Sequence, residues 1–250
     1  ERTVSVTRLE EYATCPFRYF ARNVLGLEPW QEVEAVEMSP LDRGVLIHDV
    51  LERFYRDASR AGKLPISPEH ASWYRDRLRA VVREAFARAG VGGLARDLES
   101  SRVLTDLLRY IRREARRGDG MVPVRFEERF KDLPGPDVRF RGRIDRIDAS
   151  DGRVRVVDYK TGRKRKLSDG RVEGLQLPVY IWAASTIMGV DPEDCEAYYH
   201  YVTSAGGFAV SGIDGSSWAE VWDAFTKAVR IILDGITRGR FFPFPGPRGT

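Results

Sequence analysis

Through the first half of the chain, apolar residues recur at helical spacing. In VTRLEEYATCPFRYFARNVLGL, Leu9, Tyr12, Pro16, Tyr19 and Phe20 keep roughly that period, and Pro16 divides the stretch into two short helices. A polar linker over residues 29–39 follows. Ile47, Val50, Leu51, Phe54 and Ala58 then form one stripe of an amphipathic helix that Gly62 ends. Ser67 opens a helix reaching about Arg88, with Trp73, Leu78, Val81, Val82 and Phe86 on its apolar side, and another runs from about Ala95 to Arg117. These two make a helical insertion. From Val122 the period changes to two. VPVRFEERFKDL and VRFRGRIDRID read as strands joined by a Pro-Gly-Pro turn, and RVRVVDYKTG as the next strand. Gly174 precedes a helix in LQLPVYIWAASTIMG, where Pro178 is tolerated only near the first turn. CEAYYHYVTS is a further strand with a hairpin-like partner in GFAVSGID, and SWAEVWDAFTKAVRIILDGITRG is the last helix. The order predicts an α/β fold with a central mixed β-sheet flanked by helices.

Length and composition narrow the class. A chain of 250 residues suits one domain with one large core. Its expected parts are a helical region over about 1–118, an α/β core over about 119–240 and a flexible tail over 241–250. With 42% hydrophobic and 31% charged residues and no run of about 18 apolar residues, no membrane-spanning helix is expected. The opening on Glu1, without a signal-peptide pattern, suggests a fragment of a longer protein. A net charge of +4 is compatible with nucleic acid without establishing it. Only six of the 41 basic residues are lysine. Codon bias accounts for most of that excess of arginine, although its planar fork also suits phosphate. Two cysteines, Cys15 and Cys195, are too few for a disulfide framework, which points to a cytoplasmic setting.

The stretch RIDASDGRVRVVDYKTG concentrates the charge. Residues 141–148 and 153–160 are expected to form a hairpin with Asp148 opposite Arg153. Asp145 then lies opposite Val156, and Asp158 is its diagonal neighbour on the same face, about 7–8 Å away at the backbone. Period two places Lys160 on the face of Asp158. Two neighbouring carboxylates repel unless a cation separates them, and oxygen donors suit Mg²⁺ or Mn²⁺. Taken by themselves, the three residues fit an ordinary Asp–Lys pair on a surface hairpin better.

Five separated stretches, in order, resemble the RecB-type nucleases of the PD-(D/E)XK superfamily. They are CPFRYFARNVLGL, RGVLIHDVLERFY, GRIDRID, VVDYKTG and QLPVY. The likeness covers most of the chain and is nearest to the nuclease domains of AddB-type helicase–nuclease subunits. It implies a restriction-endonuclease-like core carrying the helical insertion. It also implies metal-dependent hydrolysis of DNA, chiefly as an exonuclease on single strands fed by a helicase in repair and recombination. Carried over position by position, it implies metal ligation by His48, Asp145 and Asp158, with Lys160 as the catalytic lysine. Gln176 and Tyr180 match a Q-x-x-x-Y motif whose spacing puts both on one helix face. Glu127 corresponds to an acidic residue on the first long strand. Arg163, in the basic run at 163–166, is a phosphate contact if that run is more than a solvated loop.

One departure concerns iron. Many relatives hold a [4Fe–4S] cluster with one early cysteine and three near the C-terminus. Cys15 matches the early one, but the later triplet is missing, so a cluster is expected only in a longer chain. Without it, Cys15 is a small buried residue. Two other readings remain: a stand-alone CRISPR-associated exonuclease of the same superfamily, and a non-catalytic DNA-binding scaffold.

Overall fold

The computed structural model describes residues 3–28, 38–90, 93–164 and 174–243. A short strand, β1 (Thr3–Ser5), leads into α1 (Val6–Thr14) and α2 (Pro16–Tyr19), and a π-helical turn over Phe20–Val24 prolongs α2. Three long helices follow: α3 (Pro40–Arg60), α4 (Ala71–Arg88) and α5 (Gly93–Ala115). Then come β2 (Val122–Pro134), β3 (Arg139–Ser150), β4 (Arg153–Lys160), α6 (Gln176–Met188), β5 (Cys195–Tyr201), β6 (Val210–Asp214) and α7 (Trp218–Thr237). The sheet order is β1-β3-β4-β5-β6, with β2 pairing β3. The β1–β3 and β4–β5 pairs are parallel and the others antiparallel. This is the mixed sheet flanked by helices that the sequence pattern predicts.

Strand β4 is buried on both faces, and its alternation sorts the two cores. Val154 and Val156 join α1, α6 and α7 on one face, while Val157 and Tyr159 join α3, α4 and α5 on the other. Pro178 is the third residue of α6, inside the first turn, as expected. The stretch from Ser67 begins as a 3₁₀ turn, Pro68–His70, so α4 proper starts at Ala71. Strand β1 was not legible, since three residues are too short for periodicity. Most of the expected linker, part of the basic run (165–166) and most of the tail lie outside the described residues.

The hairpin register differs from the expected one by two residues. Ser150 faces Arg153, and Asp148 faces Arg155. The reason is the turn: Asp151 and Gly152 both have positive φ, 47° and 80°, so they form a two-residue connection, whereas the sequence reading assumed a longer one. Continuing the observed ladder one step beyond Arg146–Val157 brings Asp145 opposite Asp158 itself, rather than diagonal to it.

Beneath the helical layer, Arg146 is 2% exposed and collects most of the buried polar contacts. It donates to the hydroxyls of Tyr55 (2.6 Å), Tyr110 (3.3 Å) and Tyr159 (3.2 Å), to Glu114 (2.7 Å) and to Asp148 (2.9 Å). Burial alone would raise the Glu114 pKa, but Arg146, His200 and Arg117 outweigh it and lower it to about 2. At Asp148, sharing the same guanidinium, burial prevails and the pKa is raised. The network therefore ties α3 and α5 to β3 and β4 through one charge. Replacing it by leucine strands two buried carboxylates. Arg146→Leu should cost about 3–5 kcal/mol in urea unfolding, and a loss below about 1 kcal/mol would show the network to be dispensable.

Candidate functional site

The site arises from a break in the sheet. Strand β2 occupies one edge of β3 along its length. On the other edge β1 pairs only with Arg139–Arg141 and β4 only from Arg146 onward. Between them β3 has no strand partner, and Asp145 stands in that gap. One carboxylate oxygen, Oδ2, accepts the backbone N–H of Tyr159 at 2.7 Å, doing what a strand carbonyl would otherwise do. The other, Oδ1, lies 3.2 Å from Nδ1 of His48, which α3 brings across the sheet. The far ring nitrogen, Nε2, is 3.1 Å from the carbonyl oxygen of Tyr159. Both neighbours are acceptors, so the doubly protonated ring satisfies both. Burial opposes that charge, but the hydrogen bond to Asp145 and the charges of Asp145, Asp158 and Glu127 prevail, and the His48 pKa is raised.

Glu127 completes a row. In the β2–β3 register it falls opposite Asp145, between the pairs Phe126–Arg146 and Glu128–Ile144. Its φ of 55° is unusual for a side chain of this kind, a strained conformation within an otherwise extended strand. Donor atoms of His48, Glu127 and Asp145 lie within 4.8 Å of one another, a grouping that could hold a metal ion. Glu127 also pairs with Arg143 at 2.6 Å. Burial, reinforced by Asp145, pushes its pKa up to about 7. Carboxylates from three adjacent strands thus stand side by side, Glu127, Asp145 and Asp158, with a histidine over the middle one.

Asp158, expected as a metal ligand, faces Lys160. Its Oδ2 lies 2.6 Å from Nζ of Lys160, and the grouping of His48, Glu127 and Asp145 does not include it. Burial raises its pKa to about 6 even though Lys160 opposes the shift. Lys160 in turn donates to Oε1 of Gln176 (2.9 Å), and its ammonium lies 4.6 Å from the centre of the Tyr199 ring. Burial disfavours the ammonium, but Asp158, Glu10 and Asp145 more than offset it, so its pKa is raised and it stays charged. Tyr180 packs edge-on against Phe130 and joins His48, Asp145 and Arg143 in lining an open cavity of about 230 Å³. Arg163 is exposed, three residues beyond Lys160, and meets none of these groups in the hydrogen bonds and ion pairs of the described residues. Cys15 sits at the junction of α1 and α2. Cys195 is buried on β5, with its thiol pushed up to about 12 by burial.

Glu10 escaped the sequence reading. From α1 it accepts the backbone N–H groups of Leu175 (2.8 Å) and Gln176 (3.2 Å), capping α6, whose own N-cap residue, Leu175, has no side-chain acceptor. Burial raises its pKa despite the attraction of Lys160. The available signal was the helix start itself: LQLPVY lacks a Ser, Thr, Asp or Asn at its N-cap, so another element had to supply the acceptor.

A family pattern matches residues 3–248, and it is that of the PD-(D/E)XK nuclease superfamily. The chain belongs to this superfamily. The B subunit of an ATP-dependent helicase/deoxyribonuclease from Symbiobacterium thermophilum is 32% identical over 216 residues, 75% of this chain and 18% of that protein. Its namesake from Desulforudis audaxviator is 31% identical over 235 residues, 80% of this chain and 19% of that one. The chain thus spans under a fifth of these relatives' length. The crystal structure of a candidate exonuclease from Eubacterium rectale aligns with 96% of this chain and 82% of its own, with a TM-score of 0.46 and 13% identity. That likeness is too loose to bear on the fold. None of the described helices is long and apolar enough to cross a membrane.

Removing the Glu10 carboxylate should loosen the start of α6. Glu10→Ala should cost about 1–2 kcal/mol of stability, read by denaturant unfolding. An unchanged midpoint would mean that water replaces the cap without loss.

Proposed function

We propose that this chain is a metal-dependent deoxyribonuclease domain that hydrolyses single-stranded DNA within a helicase–nuclease assembly. The observation that carries the proposal is the row of Glu127, Asp145 and Asp158 across three strands, with His48 above it and Lys160 beside it. Three crowded carboxylates, two of them with raised pKa, are the environment expected of a centre completed by a cation. The donor set is oxygen-rich with one imidazole, which fits Mg²⁺ or Mn²⁺ better than a thiolate-seeking metal. His48, Glu127 and Asp145 would hold the ion, with Asp158 at its flank.

Bound there, a divalent cation supplies Lewis-acid polarisation of the phosphate and a lowered pKa for attacking water. The chain's own groups do the rest. Loss of the Nδ1 proton from His48 leaves Nε2–H on the Tyr159 carbonyl, which fixes the tautomer and frees Nδ1 as a donor atom. Lys160 remains an ammonium, so its part is to orient the nucleophile and stabilise charge on the phosphate rather than to take up a proton. Gln176 holds Lys160 in place, and Tyr180 closes one wall of the cavity. The likeness to helicase/deoxyribonuclease subunits supports the helicase partner and DNA-repair role, and a cytoplasmic location accords with both. A [4Fe–4S] cluster would require ligands besides Cys15 and Cys195.

Cleavage of a labelled single-stranded oligonucleotide should require Mg²⁺ or Mn²⁺ and stop with EDTA. Asp158→Asn and Lys160→Ala should each lower kcat by at least about a hundred-fold while leaving the unfolding transition in place. Full activity in either variant, or indifference to EDTA, would reject the assignment. Metal affinity should also fall as pH drops below about 7, where Glu127 takes up a proton and His48 keeps its own. Calorimetric Mn²⁺ titrations across that range would reveal it, and a flat profile would contradict the named donors.

A further inference from the structure

The helical layer carries a charged face that the centre does not use. On α5 and the turn that directly ends it, Arg109, Arg112, Arg113 and Arg116 are exposed and spaced i, i+3, i+4 and i+7, so they form one stripe about 10 Å long. Among the described residues, Arg109, Arg112 and Arg116 have no carboxylate within ion-pair distance. The contrast with the neighbouring helices is clear. On α3 and α4, Arg43, Arg53, Arg56, Arg77, Arg79 and Arg88 each stand against an acid. Among the described residues, most arginines of this layer stand against an acid, and this stripe, like the isolated Arg83 of α4, does not.

Two open grooves follow that stripe. One, of about 390 Å³, is lined among the described residues by Arg109, Arg112, Arg113, Arg116 and Phe208. The Phe208 ring lies 4.6 Å from the Arg113 guanidinium, which also donates to the Phe208 carbonyl at 3.1 Å. Phe208 has a φ of 55°, so the loop holds it in a conformation that non-glycine residues seldom adopt. The second groove, of about 370 Å³, shares Arg109 and continues past Thr203 and Ser204 to Thr161. Thr161 follows Lys160 directly, and Thr203 donates to its carbonyl at 2.9 Å, fixing this rim to the catalytic strand. Two acids line this second groove. Glu99 is buried between Arg43 and Arg102, and Asp106 accepts from Ser204 at 3.3 Å.

We propose that the arginine face of α5, with Phe208, is a phosphate-binding track that leads a single DNA strand along Arg109 to the rim of the centre. The inference rests on the nuclease reading and adds to it a route and a set of residues. Fork-shaped guanidinium groups at helical spacing match a run of phosphates, and a partly exposed aromatic ring offers a base a surface to stack on. An acidic protein surface is the other conceivable occupant. It is disfavoured because protein interfaces are built around an apolar centre, and a single phenylalanine lines this groove.

The test is the triple variant Arg109→Gln, Arg112→Gln, Arg116→Gln, all exposed positions outside the catalytic row. Fluorescence anisotropy of a labelled oligothymidylate, in Ca²⁺ and over a salt series, should show affinity reduced about ten-fold or more. The slope of log K against log salt should fall by about 2. Cleavage of a dinucleotide, too short to reach α5, should proceed at the wild-type rate. Unchanged affinity and slope in a protein whose wild type cleaves DNA would overturn the track and leave the nuclease reading standing. The track is equally overturned if the variant loses only its affinity for polyglutamate. A wild type that neither binds nor cleaves DNA would overturn both.

Discussion

The hydrogen bond from the Tyr159 N–H to the Asp145 carboxylate organises the site. A buried strand must satisfy its backbone donors, and at this point β4 has left its neighbour's ladder. A side-chain oxygen takes over, which anchors one oxygen of Asp145 and turns the other toward α3. His48 then bridges that oxygen and the carbonyl of the same Tyr159. Three groups from three elements are thereby locked together by the polar requirements of one peptide unit. The gap that exposes them exists because β1 and β4 share an edge of β3 without meeting.

The two faces of the sheet handle buried charge in opposite ways. Toward α5, Arg146 supplies a permanent cation to Glu114 and Asp148, and three tyrosine hydroxyls gather around its Nη1. At the gap, Glu127, Asp145 and Asp158 are each met by a separate and partly exposed cation, Arg143, His48 and Lys160 respectively. Both arrangements use β3 and β4, so burial of the carboxylates alone does not separate them. What separates them is that one fully buried guanidinium is shared by several groups on the first face, whereas at the gap each carboxylate has its own partly exposed partner.

Much of this was legible in the residues. The change of period at Val122, the stripe through α3 and the alternation Asp158–Lys160 follow from elementary geometry, and they placed the long elements and one face of the hairpin. The alternation does not fix the register, because it leaves open whether Asp-Gly is the whole turn or part of a longer loop, and a shift of two keeps the faces while moving the neighbours. Strand β1 is too short to show a period. Glu127 could be named only through family likeness, since its left-handed backbone breaks the alternation that would have given its direction. Glu10 acts on a helix far away in the sequence, and no local pattern reports such a partnership.

That last contact has a temporal consequence. Glu10 and Leu175 are 165 residues apart, yet their bond sets the start of the helix from which Gln176 holds Lys160. A growing polypeptide has its acidic row as soon as β4 is made, but the lysine gains its support only when α6 folds back onto α1. Closing so long a loop is among the slower steps of folding. The support of Lys160 therefore comes after the acidic row, and a chain whose α6 has not docked on α1 lacks it.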